Sequence, residues 1–384
     1  MLIGIDASRA VRSTVTGTER YSREIIRNLL ALSRSSEHRW RLYVDREPDA
    51  ELFHLMPSGA TLNTPTHIEI CCLPRLRMWS HRALGPEILN HPPDVLFVPS
   101  HVVPFTILPP RLPPTVVTVH DLGYHALPGS HTFRQRQYLA WSTRWSTSAA
   151  TLVIAVSQAT AADVLRHYVR DPNKIRVIHE AAGAWEAPTP EEVNAVKEVY
   201  HLRRRYALYV GTIQPRKNVA RLIEAYTMLA DEASITWDLV VAGGAGWLSE
   251  PIFDLVRTSR FADRIHLTGY IPEDHLAPLL AGASFFCYPS LFEGFGLPVL
   301  EAQTAGVPVL TTYSSSLPEV AGDAAILVDP TDVDAIAAAM LELSRDEELR
   351  QKLIAAGYEN VKRFSWEKAA RETLAVLEEA AQSK

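Results

Sequence analysis

Glu293 and Glu301 stand eight residues apart in the string Pro289-Ser-Leu-Phe-Glu293-Gly-Phe-Gly-Leu-Pro-Val-Leu-Glu301-Ala. A glycine-broken turn separates them, and an apolar helix start follows. Such a segment places one acid on a loop and the other inside the first turns of a helix, with the helix N-terminus between them. Backbone N–H groups suit a phosphate there, and carboxylates suit sugar hydroxyls, so the layout fits a phosphorylated, polyhydroxylated ligand.

Three further groups fit the same chemistry. Gly211-Thr212-Ile-Gln-Pro-Arg216-Lys217-Asn218 follows a strand-like run. Arg216 can hold a diphosphate in a fork and Lys217 can meet it as a point charge. Asn218 is a suitable N-cap for the next helix. Val119-His120-Asp121-Leu122 ends another such run and projects a histidine from a strand's carboxyl end. Asp121 is a candidate to fix its tautomer, although neighbours on extended chain point apart, and a structurally satisfied histidine is the competing reading. Thr16-Gly17-Thr18-Glu19 can offer backbone N–H groups to an anion at a helix start, but its single glycine excludes a dinucleotide fingerprint. Gly243-Gly244-Ala-Gly246 lacks the Lys-Ser/Thr of a P-loop.

The elements that must carry these residues are legible from periodicity. Strands are predicted at 2–6, 40–44, 67–72, 95–98, 116–119, 152–156 and 175–178, and helices at 19–32, 133–148 and 159–168. A proline-bearing stretch at 184–201 reads as a linker containing a short charged helix. Strands resume at 207–210, 238–242, 264–267, 284–288, 308–311 and 325–328, with helices at 219–229, 273–280, 332–343 and 347–363. The expected fold is α/β: two Rossmann-like, doubly wound parallel-sheet domains, 1–185 and 186–365, with a terminal helix at 366–381 packing back on the first. Ligands of such sheets lie beyond the strands' carboxyl ends, and a cleft between two facing sheets is the expected site.

A chain of 384 residues exceeds one core, and 47% apolar with 21% charged residues is ordinary globular composition. Three cysteines form no disulfide framework, no Cys/His cluster has zinc spacing, and a cytoplasmic, reducing location is expected. The opening Met-Leu-Ile-Gly-Ile-Asp is too short for a signal segment, and no apolar run reaches a membrane span. Residues 1–185 hold 20 Lys+Arg against 15 Asp+Glu, whereas the remainder holds 18 against 29. No nucleic-acid partner is expected. Arg75, Arg77, Arg134, Arg136 and Arg144 interleave with Trp79, Trp141 and Trp145. They read either as a surface for peripheral contact with an anionic membrane or as a solvated helix face over core aromatics.

Together these residues resemble the retaining family 4 glycosyltransferases of GT-B fold, in particular bacterial mannosyltransferases. The E-x7-E string carries the resemblance, with Gly-Thr-Ile-Gln-Pro-Arg-Lys-Asn, Leu267-Thr-Gly-Tyr-Ile, Ala305-Gly-Val-Pro-Val, Leu317-Pro-Glu-Val, Phe364-Ser-Trp and His120-Asp121-Leu122. It spans nearly the whole chain and is loosest at 45–93, where acceptors would bind. It implies that Glu301 binds the ribose and that Glu293, with backbone of the Gly294-Phe295-Gly296-Leu297 turn, holds the transferred sugar. Arg216 and Lys217 would neutralise the diphosphate with N–H groups of Leu297 and Val299; Pro298 has none to give. Ile271 would lie by the base, Gly17 and Thr18 would close over the phosphates, and His120 would sit by the anomeric carbon. Many members carry Arg or Ser where Thr212 stands, so one diphosphate contact is made differently here.

The implied reaction moves a hexose from a nucleotide sugar, GDP-mannose first, to a saccharide or lipid-linked acceptor in surface glycan synthesis. It needs neither cofactor nor metal: two cations and a helix N-terminus stabilise the leaving diphosphate. With no carboxylate in a nucleophile's place, a front-face, oxocarbenium-like route is expected. UDP-glucose or another nucleotide sugar is the alternative donor. A GT-B sugar-nucleotide 2-epimerase and a nucleotide-binding partner without turnover are the alternatives in kind.

Overall fold

The computed structural model describes residues 1–12, 17–32, 37–46, 67–100, 102–105, 112–130, 132–183, 186–232 and 235–383. Thr16 and the stretch 47–66 of the expected acceptor region lie outside these. The chain divides into two compact units. Unit 1 comprises Met1–Tyr124, Thr132–Glu180 and Ser365–Lys384; unit 2 comprises His125–His131 and Ala181–Phe364.

Unit 1 contains β1 (Leu2–Asp6), β2 (Arg39–Val44), β3 (Ile68–Cys72), β4 (Val95–Val98), β5 (Thr115–Val119), β6 (Leu152–Ala155) and β7 (Ile175–Val177). They form one parallel sheet in the order β3-β2-β1-β4-β5-β6-β7. Its central strands β4, β5 and β6 are buried throughout, as helices on both faces of a parallel sheet require. Each fully buried Val, Ile or Leu there contributes about 1.5–3 kcal/mol of hydrophobic stabilisation. The terminal helix Trp366–Gln382 is capped by Ser365, whose hydroxyl accepts from the Lys368 N–H at 3.1 Å. It belongs to unit 1: Trp366 meets the Tyr21 ring edge-on at 5.8 Å, and Glu378 pairs with His38 at 2.9 Å.

Unit 2 contains β8 (Tyr206–Val210), β9 (Asp238–Ala242), β10 (Ile265–Gly269), β11 (Phe285–Cys287), β12 (Val309–Thr312) and β13 (Ala325–Val328). These too are all parallel, in the order β10-β9-β8-β11-β12-β13. The chain runs outward from β8 through β9 to β10, then returns to place β11 on the other flank of β8. The order therefore reverses between β8 and β11, and the loops leaving these two strands part there to form a crevice. All thirteen strand runs expected from periodicity are present, with ends within two residues of expectation.

Gly243, just after β9, lies where the ends of β8 and β9 come closest. Its φ is +154°, and a Cβ built on it would lie 2.0 Å from the Gly211 carbonyl oxygen. No residue other than glycine lets the two strand ends approach so closely.

Candidate functional site

The loops after β8 and β11 are knitted together residue by residue. The Leu291 N–H donates to the Arg216 carbonyl at 2.9 Å, and Arg216 Nη1 donates to the Phe292 carbonyl at 2.7 Å. Asn218 stands just before the Val219–Glu232 helix but departs from the expected side-chain cap. Its backbone is left-handed, φ +62°, and its amide donates to the Pro289 and Pro330 carbonyls at 2.9 and 2.6 Å. Its Oδ1 accepts from Arg221. The side chain thus ties three loops of unit 2 instead of ending one helix.

At the centre of this knot lies Glu293. Its two oxygens take Arg216 Nη1 at 3.0 Å and Lys217 Nζ at 2.6 Å. Lys217 also donates to the Tyr288 hydroxyl at 2.5 Å and lies 5.0 Å from that ring's centre. Glu293 is 6% exposed. Burial by itself would raise its pKa, but the charges of Arg216 and Lys217 outweigh burial and hold the carboxyl below its ordinary value. The same carboxylate lies beside Tyr288 and Tyr209, whose hydroxyls burial pushes far above their ordinary range. Sequence singled out neither tyrosine; Tyr209 lies within β8 and Tyr288 just after β11.

The Glu293 loop is fixed from behind by two serines that were not anticipated. Ser315 Oγ accepts from the Glu293 N–H at 2.7 Å, while Ser316 Oγ donates to the carbonyls of Glu293 and Phe295 at 3.0 and 2.6 Å. Gly296, at φ +115°, turns the chain into the Leu297–Thr304 helix, and a Cβ there would meet Leu317 Cδ2 at 2.8 Å. Gly294, Phe295 and Leu297 are buried in this turn, with Phe295 edge-on to Phe364 at 5.8 Å. Glu301, 4% exposed, lies in the second turn of the helix. Gln303 and Asn360 anchor that helix, Asn360 donating to Gln303 Oε1 at 2.7 Å and Gln303 to the Ala321 carbonyl at 3.1 Å. The Val299 N–H donates to the Gly296 carbonyl at 3.0 Å, so an anion at this terminus would share it with that turn.

Thr212 is exposed on the β8 loop, its methyl 2.6 Å from where a Gly246 Cβ would stand. Ile271 is half-buried just past β10. Unit 2 therefore brings Thr212, Arg216, Lys217, Ile271, Glu293 and Glu301 to loops or a helix at the carboxyl side of its sheet.

The remaining residues lie in unit 1. Gly17 and Thr18 open the Gly17–Leu32 helix. Gly17 is exposed, and a Cβ added to it would meet nothing within 4 Å. The Thr18 carbonyl accepts from Ser22 Oγ at 2.9 Å. His120 follows β5. Its Nδ1 lies 3.2 Å from Glu180 Oε1 and its Nε2 2.8 Å from the Pro99 carbonyl. Asp121, the neighbour considered for that ring, instead accepts from the Gly123 N–H at 2.9 Å. Adjacent side chains on extended chain diverge, and the partner comes from β7's exit, 60 residues away.

Known proteins resemble this chain in sequence and in fold. Residues 15–181 match the family model Glycosyltransferase Family 4, and residues 192–360 match Glycosyl transferases group 1. The chain is 32% identical, over 96% of its length and 98% of the relative's, to O-antigen chain mannosyltransferase B of Escherichia coli. It is 31% identical to the MMP alpha-(1->4)-mannosyltransferase of Mycolicibacterium hassiacum, over 59% of this chain and 54% of that one. Among solved structures, sucrose-phosphate synthase from Thermosynechococcus elongatus superposes with a TM-score of 0.77 over the whole of both chains at 18% identity. WaaG, a glycosyltransferase involved in lipopolysaccharide biosynthesis, does so at 0.72, over 98% of this chain and 99% of that one at 17% identity. Both share its GT-B fold.

Proposed function

This chain belongs to the family 4 glycosyltransferases, and from that premise we propose that it transfers mannose from a nucleotide sugar, GDP-mannose first, to a saccharide or lipid-linked acceptor in surface glycan synthesis. The observation that carries the reading is the meeting of Arg216, Lys217 and Glu293 where the loops of β8 and β11 part. Two cations beside a helix N-terminus suit a leaving diphosphate, and buried carboxylates suit a polyhydroxylated ligand. The sugar rests on relatedness to chains named mannosyltransferases.

In this reading Glu301 binds the ribose, Glu293 and the Gly294–Leu297 turn hold the sugar, and Ile271 lies by the base. Gly17 and Thr18 serve the phosphates, and Thr212 lines the diphosphate loop. The acceptor oxygen bonds to the anomeric carbon on the face from which the diphosphate leaves. The electron pair of the broken bond goes to the phosphate oxygen, which also takes the acceptor's proton; configuration is retained. Arg216 and Lys217 supply the counter-charge, so no metal is required.

The decisive experiment is a panel of nucleotide sugars screened for thermal stabilisation, followed by measurement of nucleoside diphosphate release with and without chelator. GDP-mannose should stabilise most and release GDP with chelator present. Stabilisation by UDP-glucose alone would replace the donor, and C2 isomerisation of the donor without acceptor would replace transfer.

A lipid-linked acceptor would bring the chain to a membrane surface, and unit 1 carries a face suited to one. Among the described residues no helix is long and apolar enough to cross a membrane. The helix Phe133–Ala149 exposes Phe133, Tyr138 and Trp141 by 68%, 49% and 45%, together with Arg134 and Arg144. Nearby, Leu76 and Met78 are exposed beside Arg75, Arg77 and Arg82. Phe105 joins the two segments: its N–H donates to His81 Nδ1 at 3.0 Å and its ring lies 5.4 Å from that of Trp141. Residues 73–86 and 132–150 contain no Asp or Glu, although Arg75 approaches Asp45 at 4.0 Å. Aromatic residues among arginines complement an anionic bilayer interface.

A further inference from the structure

His120 is 9% exposed, and the groups around it come from four directions. Glu180 Oε1 faces Nδ1 and the Pro99 carbonyl faces Nε2. The Tyr21 ring meets the imidazole edge-on at 4.6 Å, while its own hydroxyl is bonded to Thr118. The His120 carbonyl accepts from Thr160 Oγ1, and the neighbouring Asp121 carboxylate is engaged with the Gly123 N–H. Asp121, Glu180 and Tyr21 are titratable groups that face or adjoin the ring.

A carbonyl oxygen has no proton to give, so the Pro99 bond requires a proton on Nε2. Across the Nδ1 contact the proton belongs either to the ring or to Glu180. Imidazole is the stronger base by about two pH units in water, and the ion pair it forms is buried, with the ring bonded at both nitrogens. We infer that His120 is held as a doubly protonated imidazolium by Glu180 and the Pro99 carbonyl, and that Glu180 is its positioning residue.

The electrostatics point the same way. Burial favours the neutral ring, but the Glu180 hydrogen bond and charge, joined by the Pro99 carbonyl and Asp121, raise its pKa above the ordinary value. A ring with both nitrogens protonated has no lone pair. On the glycosyltransfer reading, on which this consequence rests, His120 is therefore a fixed cation and not the base that takes the acceptor's proton. This agrees with the proposed route, in which the acceptor's proton goes to the leaving phosphate oxygen.

The test needs no donor. In protein labelled with 15N-histidine, with His120 assigned by loss of its signal in His120→Gln, both ring nitrogens should resonate as protonated at pH 7.5, where an ordinary exposed histidine keeps only one ring proton. Glu180→Gln, which keeps the shape and removes the charge, should lower the His120 titration midpoint by about one to three pH units. A wild-type ring with one unprotonated nitrogen at pH 7.5 would overturn the imidazolium. An unmoved midpoint in Glu180→Gln would overturn the role of Glu180. Neither readout involves a nucleotide sugar, so these failures are distinct from failure of the glycosyltransfer reading, which diphosphate release decides.

Discussion

Lys217 Nζ donates to Glu293 Oε1 at 2.6 Å, across 76 residues of chain. With Arg216 on the other oxygen, the carboxylate proposed for a sugar offsets part of the charge of the two cations proposed for a diphosphate. An incoming diphosphate would then approach a cluster whose charge is already shared. Substitutions on the two sides should separate.

Lys217→Ala should weaken nucleoside diphosphate binding by about 10- to 100-fold, the worth of one charge-assisted bond. Glu293→Gln should leave that affinity unchanged or tighten it by roughly two- to tenfold through relieved repulsion, while sugar transfer falls steeply. Calorimetry with the diphosphate and turnover with the sugar nucleotide give the two numbers. Equal loss of diphosphate affinity in both variants would refute the division of roles.

On the proposed reading, Glu301→Ala should weaken donor binding by at least about tenfold, because the ribose hydroxyls would lose a buried acceptor. Calorimetric affinity for GDP-mannose is the readout. An unchanged value removes Glu301 from the donor site.

Stability should depend on pH through Glu293. Its folded pKa is depressed, so its contribution is fully present above the ordinary value of 4.5 and is lost as pH falls through the lower, folded one. Urea midpoints measured from pH 6 downward should fall less steeply in Glu293→Gln than in the wild type. Parallel curves would show that the ion cluster does not set acid stability.

Gly243→Ala should destabilise unit 2 by more than about 2 kcal/mol, since its methyl would collide with the Gly211 carbonyl at a φ disfavoured for alanine. The neighbouring Gly244, where a Cβ meets nothing within 4 Å, is the control. Thermal unfolding of both variants checks this: a midpoint lowered by several degrees is expected only for Gly243→Ala.

The protein should float with vesicles containing anionic phosphatidylglycerol and not with neutral phosphatidylcholine, and salt should release it. Arg134→Glu with Arg144→Glu should abolish flotation, and Trp141→Ser should reduce it, with nucleotide binding unaffected. Equal flotation on both lipids, or none on either, argues for a solvated face.

Much of this molecule was legible in one dimension. Period and β-branched content located the strands because parallel strands buried on both faces read as apolar runs wherever they pair. The Glu293–Glu301 string read correctly as loop, glycine turn and helix start because those conformations are local. Asn218 misled for the complementary reason: it is a good N-cap by type, but carbonyls from two other loops claim its amide.

What the sequence by itself determined is the family, the α/β class and the residue types able to meet a nucleotide sugar; each depends on short-range chemistry. Only the tertiary structure decided the pairings. Strand order sets β11 beside β8, and so Glu293 on Arg216 and Lys217; it sets β7's exit near β5's, and so Glu180, not Asp121, on His120. A side chain's charge state follows its neighbours in space, and on a doubly wound sheet those are chosen by crossovers tens of residues long.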